Sequence, residues 1–174
     1  ERREKTGSDF LPLHLHRVVA IGCAFRDAQG FRVRCLGTEQ DDEAKLVADF
    51  FRLIDRYTPQ LVSWNGGGFD LPVLHHRALI HGVAAPRYWD WGDDDRDFKW
   101  NNYISRFHSR HIDLMDLLAG YQNRAFAPLD DVAQLCAAFD LGPPASFAAL
   151  DAGTINSNFR VDTPRGRFFL RVNE

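Results

Sequence analysis

The sequence predicts an α/β fold, and three observations carry that expectation. A β-branched apolar run meets a turn and then alternates large and polar residues; a helical period follows directly. A second short apolar run then ends in three glycines ahead of another helix. With 174 residues, 45% hydrophobic and 26% charged, the chain has the composition of a folded domain, which excludes disordered and collagen-like classes.

The elements follow in order. Residues 17–26 form the first strand, Asp27-Ala28-Gln29-Gly30 is a turn, and Phe31–Leu36 returns as the partner of a β-hairpin. From Asp41, the apolar positions Ala44, Val47, Phe50, Phe51 and Ile54 recur at helical spacing, with acids in the first turn and Pro59 beyond the end. Leu61–Asn65 predicts a short buried strand running into Gly66-Gly67-Gly68, with Asp70 as the cap of a helix that tolerates Pro72 in its first turn. Residues 82–110 predict a long irregular segment rich in Trp, Arg and Asp. His111–Leu118 leads into a helix, Leu129–Phe139 makes another, and both are expected to have core faces. Residues 152–161 and 167–172 predict a last hairpin around Thr163-Pro164-Arg165-Gly166.

A net charge of −3 supplies no global basic field, although local basic patches survive such averaging. The cysteines Cys23, Cys35 and Cys136 lack C-x-x-C spacing and predict reduced, mostly buried thiols rather than a zinc site. No apolar run reaches the roughly 20 residues of a membrane span, so the expected compartment is the cytoplasm, without membrane association. The histidines have no compact ligand spacing and predict surface or structural roles.

The chemistry concentrates in Trp64-Asn65-Gly66-Gly67-Gly68-Phe69-Asp70. Glycines after a strand admit close approach, and a carboxylate at a helix start can be held rigidly; a plain helix cap behind a tight turn is the alternative. The glycine spacing matches neither a dinucleotide nor a Walker loop. Asp113 and Asp116 are three apart and would share a helix face, Asp113 being the better site candidate and Asp116 an ordinary first-turn acid. Arg87, Tyr88, Trp89, Arg96, Lys99, Trp100, Arg106 and Arg110 would either line a single-strand channel or fold back onto the core.

The string Asn-x-x-x-Phe-Asp at 65–70 resembles the second motif of the DEDD-type 3′–5′ exonucleases. With His111-Ile112-Asp113-Leu114, Leu11-Pro12-Leu13-His14 and Phe126-Ala127-Pro128-Leu129-Asp130, residues 8–135 are similar to the 3′–5′ exonuclease family related to the proofreading domain of family-B DNA polymerases. The resemblance implies an RNase H-like fold, a hydrolase acting on 3′ ends of single-stranded DNA or RNA, and two Mg²⁺ or Mn²⁺ ions held by four acids. It makes Asp70 a metal ligand, Asp113 a possible second acid, and Asn65 and Phe69 substrate contacts.

The Asp-x-Glu of the family's first motif does not occur in residues 1–10, and its third motif does not follow residue 136. The expectation is therefore an incomplete, truncated RNase H-like piece of reduced activity, or a noncatalytic nucleic-acid-binding remnant. Residues 137–174, with Gly153–Val161 and Gly166–Glu174, resemble the N-terminal lobe of homoserine kinase and related aminoglycoside-phosphotransferase-like kinases, Arg171 standing near a phosphate-pairing position. That likeness stops before any catalytic loop, so a fragment of such a kinase is expected to lack kinase activity. The expected domains are 1–136, exonuclease-like, and 137–174, kinase-lobe-like, joined by natural fusion, rearrangement or a faulty gene model.

Overall fold

A computed structural model describes residues 10–38, 40–123, 125–138, 146–149, 156–163 and 166–173, and its chain divides into two compact units, Glu1–Asp113 and Leu114–Glu174. It is a mixed α/β structure with small sheets.

In the first unit, β1 (Ile21–Asp27) and β2 (Gly30–Leu36) form the expected antiparallel hairpin, with Asp27 opposite Gly30. The turn is tied by the Gln29 N–H, which donates to Asp27 Oδ1 at 2.8 Å. α1 (Glu43–Tyr57) begins where Asp42 accepts from the Lys45 N–H at 2.8 Å, and it ends at Thr58 in the left-handed region. β3 (Leu61–Ser63) pairs in parallel with β4 (His111–Asp113), so Ser63 lies opposite Asp113. Between these strands run α2 (Asp70–His81) and the long irregular segment, which contains one 3-10 turn at Arg96–Lys99.

The core is the apolar face that the periodicity of α1 predicted. Val47, Phe51 and Ile54 pack with Leu71, Leu74 and Ala78 of α2 and with Tyr88, Phe98 and Tyr103 of the irregular segment. Tyr88 and Tyr103 stack nearly parallel at 5.5 Å, and the Tyr103 hydroxyl donates to Pro59 O at 2.6 Å. The long segment is therefore packed into the core at its tyrosines and Phe98.

Four expectations change. The strand at 61–65 is not buried: Leu61 packs against the core, but Val62, on the opposite face of β3, is 58% exposed. Cys35 is exposed and Cys23 half-buried, so the thiols are free but not mostly buried. Asp113 closes a strand instead of sharing a helix face with Asp116, which lies in α3 (Leu114–Leu118). α4 (Leu129–Ala138) has no strong core face among its described side chains, only Val132 and Cys136 being half-buried.

In the second unit, β5 (Ser146–Ala149), β6 (Asn156–Thr163) and β7 (Gly166–Asn173) form an antiparallel sheet in the order β5-β6-β7, with Thr163 opposite Gly166. The expected final hairpin is thus present; residues 152–155 and its turn residues Pro164 and Arg165 lie outside the described residues. Among the described residues no helix is long and apolar enough to cross a membrane.

One buried charge ties α1 to its surroundings. Glu43, at the start of α1, is 8% exposed; it accepts from the Val18 N–H at 2.7 Å, meets His81 Nε2 at 2.9 Å and pairs with Arg77. Burial alone pushes this carboxyl up, but the hydrogen bonds from Arg77, His81 and Val18 outweigh it and hold it at about 2. A depressed carboxyl stabilises the fold fully above its unfolded value of 4.5 and loses that contribution as pH falls toward about 2. Glu43→Gln is expected to cost about 3 kcal/mol at neutral pH, because it strands the Arg77 charge. Urea titrations at pH 7 and pH 3 check this, the deficit shrinking at the lower pH.

Candidate active site

The site is built at the C-terminal end of β3, where the chain must reverse into α2. Asn65 takes a left-handed backbone conformation (φ 56°), which asparagine tolerates better than most residues. The N–H groups of Gly68 and Phe69 both donate to Asn65 O, at 3.1 and 3.0 Å, and the Leu71 N–H donates to Gly66 O at 2.9 Å. The loop is thereby wound directly into the first turn of α2.

Glycine is required in this loop by close approach. A Cβ on Gly66 would overlap the Ser63 side chain, whose Oγ shares a 2.8 Å hydrogen bond with His111 Nε2. Gly66→Ala is therefore expected to cost about 2 kcal/mol by forcing β3 and the loop apart; a thermal melt of the variant checks it.

Asp70 does not cap α2. Phe69 holds the cap position without a side-chain hydrogen bond, and Asp70 is the first helical residue. This removes the plain-cap alternative and leaves the carboxyl at a helix N-terminus, where negative charge is favoured. Desolvation, helped by the negative charge of Asp113, pushes the Asp70 carboxyl above its ordinary value against the opposing hydrogen bond from its own backbone N–H. The second carboxylate faces the loop: Asp113 Oδ1 accepts from the Asn65 N–H at 2.8 Å and Oδ2 from the Gly67 N–H at 2.9 Å.

Asn65, Phe69 and Asp70 line one cleft of about 400 Å³, together with Phe10, Leu13, Trp64 and Gly68. Phe69 is held on two sides, by Phe10 at 5.7 Å and edge-on by His16 at 5.1 Å. Sequence reasoning missed Phe10 as a cleft wall, and it gave Leu13 and Trp64 no role of their own within the strings that contain them. Leu13 sits in a single 3-10 turn at Leu13–Leu15 and Phe10 in irregular backbone, so neither belongs to a periodic pattern that would have marked it.

The basic and aromatic residues of the long segment divide. Tyr88 is buried; the Arg87 and Arg110 guanidinium groups lie 5.1 and 4.0 Å from the centre of the Phe98 ring. Arg87 also pairs with Asp95 at 3.0 Å. These three serve the core rather than a channel. Trp89 and Trp100 remain exposed, with Lys99 over the Trp100 ring at 5.3 Å. His108 and His111 are held in local hydrogen bonds, to the Asn102 N–H and to Ser63.

Asp70 is the one carboxylate that lines the cleft, an oxygen donor of the kind hard cations such as Mg²⁺ and Mn²⁺ accept; the four-acid, two-metal set that the resemblance implied is not assembled among the described residues. Among the described residues, no three His, Cys, Asp or Glu side chains come together as a metal-holding group.

Comparison with known proteins gives three findings. A family model described as a predicted 3′–5′ exonuclease related to the exonuclease domain of PolB matches residues 8–139. DNA polymerase 1 of Aeropyrum pernix is 36% identical over 106 residues, covering 58% of this chain and 10% of that protein. Homoserine kinase of Phenylobacterium zucineum is 51% identical over 45 residues, covering 26% of this chain and 14% of that protein. The match thus spans only a small part of either curated relative. No solved structure matches the chain.

Proposed function

Because the chain belongs to the family of predicted 3′–5′ exonucleases related to the exonuclease domain of PolB, we propose that its cleft receives the 3′ end of a single-stranded DNA or RNA for phosphodiester hydrolysis. The observation that carries this reading is the placement of Asn65, Phe69 and Asp70 along one cleft beside a glycine loop. The parallel pairing of β3 and β4, with α2 between them in the chain, supports an RNase H-like arrangement.

Asp70 would hold a divalent cation. Such an ion, when bound, neutralises phosphate charge and polarises the phosphorus–oxygen bond. The chain's own residues do the positioning. The Phe69 ring, fixed by Phe10 and His16, offers an aromatic edge to the last base or sugar, a contact that tolerates every base. Asn65 presents its amide at the cleft wall, where it can hydrogen-bond the terminal sugar or phosphate. Leu13 and Trp64 add apolar wall to the cleft beside Asn65 and Phe69, surface against which a base or sugar can pack.

Incubating a labelled single strand with the protein and Mn²⁺ tests the proposal. Release of mononucleotides above the level of an Asp70→Asn control is expected. Binding of the strand without release would keep the ligand class and overturn the enzyme.

A further inference from the structure

We infer that Asp113 is a positioning residue, a carboxylate brace that fills the N–H receptor of the glycine loop and so fixes Asp70 and Asn65 at the cleft. The inference rests on the exonuclease reading of that cleft and deepens it.

A glycine-rich turn between a strand and a helix is a common place for backbone N–H groups to cradle a phosphate. Here two of those donors are occupied from within the chain. The Asn65 N–H points at one Asp113 oxygen, at 2.8 Å, and the Gly67 N–H at the other, at 2.9 Å. The grip is close: a Cβ on Gly67 would stand 3.3 Å from Asp113 Oδ2. Asp113 is fixed in turn by the parallel register of β4 against β3, where it lies opposite Ser63. From the gripped segment, the bonds from Phe69 N to Asn65 O and from Leu71 N to Gly66 O carry the constraint into the first turn of α2, which bears Asp70. The charge-assisted pair therefore acts on the site through the backbone, and the loop leaves the substrate phosphate to the metal ligand and to Asn65.

Amide hydrogen exchange followed by NMR tests the brace without requiring activity. In Asp113→Asn, which keeps one acceptor oxygen, one of the Asn65 and Gly67 amides should exchange about 10-fold faster or more, and in Asp113→Ala both should. Core amides of α1 should hold their rates in each variant. Paramagnetic broadening by Mn²⁺ at Asp70 should weaken in Asp113→Ala, and added formate should restore both the broadening and the slow exchange by refilling the receptor. Unchanged exchange at Asn65 and Gly67 would overturn the inference. So would a uniform loss of protection across the first unit with no rescue by formate, the mark of a merely structural residue. If the wild-type chain shows no Mn²⁺ broadening at Asp70, the metal-site reading fails, and the exchange rates still decide the brace.

Discussion

Asp70→Asn is expected to lower Mn²⁺-dependent release of 3′-terminal nucleotides on the order of 10³-fold, while leaving single-strand binding within a few-fold of wild type. The substitution keeps size and shape at the first residue of α2 and removes only the charge. Asp70 is not the cap of α2, so the change withdraws no cap hydrogen bond. The desolvation and the nearby Asp113 charge that push the carboxyl up are unfavourable to its ionised form and are relieved in the amide. The helix N-terminus and the carboxyl's bond from its own N–H favour the charge and so offset these effects; the variant should melt close to wild type, and a loss of activity at an unchanged midpoint would belong to the chemistry and not to unfolding. Parallel measurement of thermal midpoint, strand affinity by fluorescence anisotropy and nucleotide release separates these contributions.

Phe51→Ala carries the largest expected effect on stability, about 4 kcal/mol. Phe51 is fully buried in α1 and meets Tyr88 edge-to-face at 5.6 Å and Phe50 at 5.1 Å. Its removal leaves a cavity at the point where α1, α2 and the long segment converge, and the stacked Tyr88 and Tyr103 cannot collapse into it without breaking the Tyr103 bond to Pro59. Chemical denaturation should show the midpoint of the first unit shifting strongly, whereas Leu79→Ala, at an 82% exposed position of α2, should shift it little.

What was legible in the sequence had a local cause. The hairpin at residues 21–36 follows from a turn tetrapeptide between alternating runs, and α1 from its period and its first-turn acids. The glycine loop announced itself because three consecutive glycines after a strand have few other uses. The features misjudged or left open depend on neighbours remote in sequence. Val62 is exposed because burial of a strand side chain depends on what packs on its face of the sheet, which apolarity alone does not reveal. For Arg87 and Arg110 the sequence left a channel lining and a fold back onto the core equally open, and the second holds because both stack on Phe98, a partner that no periodicity reveals. Asp113 reads in sequence as a site candidate sharing a helix face with Asp116; its place at the end of a strand and its bonds from the Asn65 and Gly67 N–H groups emerge only from the parallel pairing of β3 and β4.

The central claim, that the cleft at Asp70 processes 3′ ends, is tested most directly by comparing a linear, 5′-labelled single strand with a circular strand of the same sequence in the presence of Mn²⁺. The expected result is a ladder that shortens stepwise from the 3′ end of the linear strand and is absent with Asp70→Asn, the circle staying intact. Cutting of the circle, or shortening that persists undiminished in Asp70→Asn, would contradict it.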